Sequence, residues 1–173
     1  YQSVDEYMKT LEQQLKDNPQ DGVAHYNLAC VLIGKAEYER AEQELKAAIQ
    51  LTPDLAEAYV QLGGLALRQG DMMTCLSFNK KAAELRPRFA VPHGNVGFVQ
   101  LQMGKVDEAI AEYQDVISNN PTYLQAMVQL GVTYYSLGKV DEAIVQWQQV
   151  LQYEPDHRHA QMYLKMVGGA PSN

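Results

Sequence analysis

The sequence predicts an all-α fold, a tandem array of antiparallel helix pairs. Three observations predict it. Pro19, Pro53, Pro87, Pro121 and Pro155 recur every 34 residues. Small residues keep the same period in other phases: Ala41, Cys75, Ala109 and Ala143; Gly70, Gly104 and Gly138; and Ala29, Gly63, Gly97 and Gly131. Between these marks, apolar residues fall at helical spacing, as Tyr59, Leu62, Gly63 and Ala66 do at i, i+3, i+4 and i+7. A fixed period of this length means stacked supersecondary units, each unable to bury its apolar face alone.

Each element follows from its neighbours. The first helix of the unit at 56–89 runs to Gly70, which takes the left-handed conformation after a helix end. The second runs from about Asp71 to Leu85 and stops at Pro87, which has no N–H to donate. After the prolines, Asp54-x-x-Glu57 and Thr122-x-x-Gln125 match capping boxes that start the next helices. Gly63 and Ala41 stand where the paired helices cross, and a larger side chain there would force the backbones apart. The predicted layout is a single domain over 1–168. It holds an N-terminal helix at 3–19, repeats at 22–55, 56–89, 90–123 and 124–157, and a polar capping helix at 158–167; a frayed tail follows over 168–173.

The N-terminal helix opens with a Ser3-x-x-Glu6 capping box and lines Val4, Met8, Leu11 and Leu15 on one face. It reads as the second helix of a pair, leaving that face free for another copy or an upstream repeat. The capping helix carries Arg158, His159, Gln161 and Lys165, as a solvated end requires. Gly34 lies two positions earlier than the other loop glycines, so a locally different turn is expected in the first repeat. The chain begins at Tyr1 rather than Met, as a fragment or processed product would.

The 34-residue unit resembles the tetratricopeptide repeat. The fourth unit carries the pattern most fully, in Leu130-Gly131, Tyr134, Ala143, Trp147 and Pro155. The second has Tyr59, Leu62-Gly63, Ala82 and Pro87; the third Gly97, Ala109, Tyr113 and Pro121; the first Leu28-Ala29, Ala41, Leu45, Ala48 and Pro53. The match runs over about residues 22–155, and GKVDEAI occurs twice, at 104–110 and 138–144. Departures are Asn79 where the pattern has an aromatic, Cys75 where it has Ala, and His25, His93 and Met127 at the opening aromatic; each is expected to loosen packing slightly. The resemblance implies a right-handed superhelical solenoid whose first helices line a concave groove.

Carried over position by position, the groove holds Asn27, Cys30, Gln61, Gly64, Arg68, Asn95, Phe98, Gln129, Val132 and Tyr135. Asn27, Gln61, Asn95 and Gln129 form a ladder of amides. A primary amide both donates and accepts, so it can pair with a peptide backbone whatever its side chains. Asn is also common at this repeat position without a ligand. Gly64 and Gly94 leave room for an apolar anchor beside Phe98 and Arg68, or else serve close helix packing. Relatives that clamp acidic chaperone C-termini use Lys and Arg on the first helices of two repeats; here Arg68 is the only cation among these groove positions.

Composition limits the partners. Hydrophobic residues make up 46% and charged residues 20%, an ordinary globular balance. The net charge of −7 argues against nucleic acid and favours neutral, apolar or basic ligands over acidic ones. No apolar run reaches the ~20 residues of a membrane-spanning helix. Cys30 and Cys75 stand alone, without a CxxC, so neither a disulfide framework nor zinc is expected. His157 and His159, two apart, do not share a helix face, and no recurring partner is evident for His25 or His93. Asp107-Glu108 and Asp141-Glu142 suit helix N-termini through the macrodipole. Trp147 and the helically spaced tyrosines read as core.

No catalytic constellation, metal site or cofactor motif appears, so the predicted role is a protein-interaction adaptor holding a peptide. Two alternatives are a structural protein that self-associates through the N-terminal helix, and the recognition module of a larger enzyme, as in glycosyltransferases with such repeats. Two reduced thiols fit the cytoplasm, and the periplasm if a signal has been removed.

Overall fold

A computed structural model describes residues 2–168. Among them are ten helices and no strand: α1 (Val4–Asp17), α2 (Gly22–Gly34), α3 (Tyr38–Leu51), α4 (Ala56–Arg68), α5 (Met72–Leu85), α6 (Ala90–Gln102), α7 (Val106–Asn119), α8 (Leu124–Ser136), α9 (Val140–Tyr153) and α10 (Arg158–Met166). The fold is an all-α helical-repeat solenoid. The described residues form two compact units, divided between Pro87 and Arg88. Residues 169–173, most of the tail expected to fray, lie outside the described residues.

Two turns alternate along the chain. Between the helices of a pair, the amides of Glu37, Asp71, Lys105 and Lys139 donate to the carbonyls of Leu32, Ala66, Gln100 and Tyr134 at 2.8–2.9 Å. This is the Schellman closure, and it needs one left-handed residue. Gly70, Gly104 and Gly138 supply it at φ +80, +77 and +77. The first repeat does not differ as expected: Ala36 takes the same place at φ 61. Its hydrogen bonds match the others, and the β-carbon carries the strain instead. Ala36→Gly is therefore expected to raise stability by about 1 kcal/mol, the left-handed penalty less the added freedom of the unfolded chain. Thermal melting checks it, and an unchanged midpoint would show no strain at Ala36.

Between repeats, proline occupies the second position of a four-residue turn. Leu55, Tyr123 and His157 donate to Thr52, Asn120 and Glu154 at 3.0–3.1 Å. These turns overturn two expected capping boxes. The N-caps are Leu55 and Tyr123, without side-chain bonds. Asp54 and Thr122 are held inside the turn, one residue too early. The Ser3–Glu6 box is present, and Asp21 and Asp71 cap α2 and α5. The Asp-Glu pairs lie in the first turns of α7 and α9.

In the first unit, Leu11, Leu28, Leu32, Leu45, Ala48 and Leu62 form the core. The face of α1 expected to stay free is largely covered by this core: Leu11 is 2% exposed, and Met8 and Leu15 pack against it. Only Val4 remains out, because α1 docks on α2 as an internal second helix would. Asp5–Lys35 at 2.7 Å and Glu12–Arg40 at 2.6 Å tie its outer edge. In the second unit one cluster surrounds Tyr113, Val116 and Leu130, and another surrounds Trp147, Val150, Ala160 and Leu164. Thus α10 closes the second unit with Ala160 and Leu164 inward, while Arg158, His159, Gln161 and Lys165 are exposed.

One small-to-large rule fixes each crossing. A β-carbon on Gly131 would stand 2.8 Å from Trp147 Cδ1, and one on Gly97 would stand 3.0 Å from the Tyr113 ring. Gly63 faces Asn79 in the same way. Asn79 is 1% exposed, and its Nδ2 donates to the Cys75 carbonyl at 2.9 Å, so the departure from an aromatic is internally bonded.

Candidate interaction groove

The groove residues of the first unit lie on α2 and α4. Asn27, Cys30 and Gln61 are half-buried, and Gly64 and Arg68 are exposed. The Tyr26 hydroxyl lies beside the side chains of Cys30 and Gln61. Burial, then the neighbouring thiol, push that hydroxyl up to about 12. Burial also pushes the Cys30 thiol up, which favours the protonated thiol over the thiolate.

Two cavities open on this unit. One of about 490 Å³ is lined by Ile33, Tyr38, Gln61, Gly64, Leu65, Leu67 and Arg68. The other, about 440 Å³, joins Val4 and Tyr7 of α1 to Asn27, Cys30, Val31, Gly34 and Lys35. Tyr38 was not legible as a groove residue. Its guanidinium partner Arg68 lies 3.8 Å from its ring centroid. The available signal was that Tyr38 is aromatic where the other second helices begin with Met72, Val106 and Val140.

The glycines expected to make room behave differently. A β-carbon on Gly64 would meet nothing within 4 Å, whereas one on Gly94 would meet Tyr123 at 3.4 Å. Gly94 thus lies against Tyr123 at about ordinary contact distance inside the second unit, and Gly64 faces open space. In that unit α6 presents Asn95 and Phe98, and α8 presents Gln129, Val132 and Tyr135. Asn95, Gln129 and Val132 are half-buried, and Phe98 and Tyr135 are 38% and 42% exposed. Tyr135 leans on Trp147, with centroids 6.3 Å apart.

Two histidines have a recurring partner after all. His25 Nδ1 lies 2.5 Å from Glu44 Oε2, and His93 Nδ1 lies 3.6 Å from Glu112 Oε2. Both glutamates follow their histidine by 19 residues, joining the two helices of a pair; the second repeat uses Tyr59 and Phe78 there, 6.3 Å apart. His25 Nε2 also lies 3.0 Å from the Pro19 carbonyl. Burial opposes the charged ring, but Glu44, Pro19 and Asp21 outweigh it and raise His25 above its ordinary 6.5. A raised folded value means stability fully present below the unfolded pKa and lost as pH rises through the folded one. The melting temperature is expected to fall over that window, and to fall less in Glu44→Gln. Identical pH profiles would show that the pair contributes nothing.

Among the described residues, no group of three or more His, Cys, Asp or Glu is placed to hold a metal ion, and no helix is long and apolar enough to cross a membrane. Models described as tetratricopeptide repeat match residues 26–72 and 100–165, together more than half of the chain. No curated protein sequence matches it. Among solved structures, it is similar to TTC0263, a thermophilic tetratricopeptide-repeat protein of Thermus thermophilus, at 29% identity and a TM-score of 0.70, covering 95% of this chain and 90% of that one. It is similar to MamA at 25% identity and a TM-score of 0.77, covering 88% and 90%. It shares its fold with YrrB, described as a tetratricopeptide-repeat protein with an unusual peptide-binding site, at 20% identity and a TM-score of 0.74, covering 94% and 84%.

Proposed function

The chain belongs to the tetratricopeptide-repeat family, a family of protein-interaction scaffolds, and from that premise we propose that it holds a neutral or apolar peptide segment on the first helices of its pairs: α2 and α4 in one unit, α6 and α8 in the other. Gly64 carries this reading. Glycine inside a helix costs about 0.8–1 kcal/mol relative to alanine. At Gly63 close packing against Asn79 offsets that cost. At Gly64 no neighbour does, and a bare backbone facing open space is what close approach of another chain requires.

The amides of Asn27, Gln61, Asn95 and Gln129 suit a peptide backbone, and Phe98 and Tyr135 supply rigid apolar contact. The net charge of −7 favours neutral or basic segments over acidic ones. The test is selection from a random displayed peptide library, followed by mapping of the strongest binder on backbone amide NMR shifts. Perturbations are expected at Gln61 and Gly64, or at Asn95 and Phe98. Perturbations confined to exposed faces of α3, α5, α7 and α9 would refute the reading.

A further inference from the structure

Three residues that break the repeat pattern meet in one place. Tyr38 opens its helix where the others have Met72, Val106 and Val140. Arg68 stands where the other repeats have Gly34, Gln102 and Ser136, and Gly64 where they have Cys30, Phe98 and Val132. All three line the same cavity of about 490 Å³. We propose that this cavity is a seat for one aromatic side chain of the bound segment, whose ring lies against the guanidinium of Arg68. The proposal rests on the peptide-binding reading of α4 and names the side chain it selects.

The Tyr38 ring covers one face of the planar cation, with Cζ 3.8 Å from its centroid. That contact holds the plane in place before any ligand arrives, which lowers the ordering cost of binding. Arg68 is exposed and borders the cavity, so a ligand seated there can reach its guanidinium from the side away from Tyr38. Beneath it Ile33, Leu65 and Leu67 supply an apolar floor, and the absent side chain at Gly64 supplies the entry.

Side-chain chemistry then ranks the occupants. An aliphatic group gains only the floor. An aromatic ring gains the floor and a cation–π contact on the open face. The Gln61 side-chain amide, from a residue of the cavity wall, can also accept from an indole N–H or a phenol O–H. A carboxylate would pair with the guanidinium edge, but it would lose water above three aliphatic residues, in a protein already at −7.

The experiment titrates the full chain with N-acetyl-tryptophanamide, N-acetyl-leucinamide and N-acetyl-glutamate amide, following the Gly64 amide and the Arg68 Nε–H by NMR. The tryptophan probe is expected to move both signals, the Arg68 proton upfield by ring current, and to half-saturate at a concentration about fivefold below the leucine probe, the scale of one cation–π contact. Arg68→Gln, at an exposed position and checked by thermal melting, is expected to abolish that preference. Equal affinity for the tryptophan and leucine probes overturns the proposal. So does a response to the glutamate probe alone, a tryptophan preference that survives Arg68→Gln, or no shift from any probe. If the tryptophan probe seats while displayed peptides map away from α2, α4, α6 and α8 alike, the seat stands and the peptide-groove reading fails.

Discussion

Gly131→Leu is expected to lower stability by about 1–3 kcal/mol, the cost of forcing extra carbon into a packed core. The obstacle is Trp147, fully buried, with Cδ1 and Cε2 both 2.8 Å from where a β-carbon would stand. The ring has nowhere to retreat. It stacks on Tyr163 with centroids 5.0 Å apart, and its Nε1–H points to the Val128 carbonyl at 3.4 Å. Because the first carbon already collides, Gly131→Ala should destabilise too, unlike an ordinary glycine-to-alanine change in a helix. Gly97→Ala should cost less, since the Tyr113 ring stands at 3.0–3.3 Å and a small shift relieves it. The first repeat shows the compatible alternative, Ala29 above Leu45, both buried in one cluster. Trp147→Leu alone should open a cavity, yet adding it to Gly131→Ala should cost less than the two single changes summed. Melting temperatures for this double-mutant cycle check the coupling. A midpoint unchanged in Gly131→Leu would mean the helices do not cross closely there.

The crossing rule explains why the fold was legible. Helix pairing depends on a small residue and a large one 16 positions apart, and both repeat with the period: Gly63 and Asn79, Gly97 and Tyr113, Gly131 and Trp147. Prolines and loop glycines mark the ends of the same unit, so several independent residues specify each element. What failed in the sequence depended on one residue of register or on backbone torsion. The Asp54 and Thr122 caps failed because the proline turn runs one residue further. The first-repeat turn is regular because Ala36 accepts a positive φ, and composition does not reveal such strain. His25 and His93 were read as single residues, although Glu44 and Glu112 follow each by the same interval two repeats apart. For α1, the apolar stripe was read correctly and its partner was not: that stripe packs on α2. In the groove, the resemblance to the repeat family supplied the candidate positions. It did not separate Gly64, which faces open space, from Gly94, which packs on Tyr123, because the separation depends on side chains brought in by the fold.

Binding of a selected peptide should separate cleanly from folding, and Gly64→Leu gives the sharpest test. Leucine is the better helix former, by somewhat less than the roughly 0.8–1 kcal/mol that separates alanine from glycine, and nothing within 4 Å of the new β-carbon opposes it. The variant should therefore melt at least as high as the wild type. Its side chain would meanwhile fill the cavity beside Gln61 and Arg68, so a peptide bound on α4 should weaken at least about tenfold, or ~1.4 kcal/mol. Higher stability with lower affinity is a pairing that misfolding cannot produce. In the second unit the matching change is Asn95→Ala with Phe98→Ala. A hydrogen bond of about 0.5–1.5 kcal/mol and a rigid apolar contact are removed there, for a similar tenfold loss by a peptide seated on α6. Titration calorimetry at low and high salt completes the measurement. Arg68 is the only cation among the groove positions carried over from the repeat pattern, and Lys35 beside the second cavity is paired with Asp5, so affinity should change little with ionic strength. A steep fall with salt would show instead that the peptide is held by charge on the acidic exterior. Full affinity in both variants, with the fold intact, would move the binding surface to the second helices.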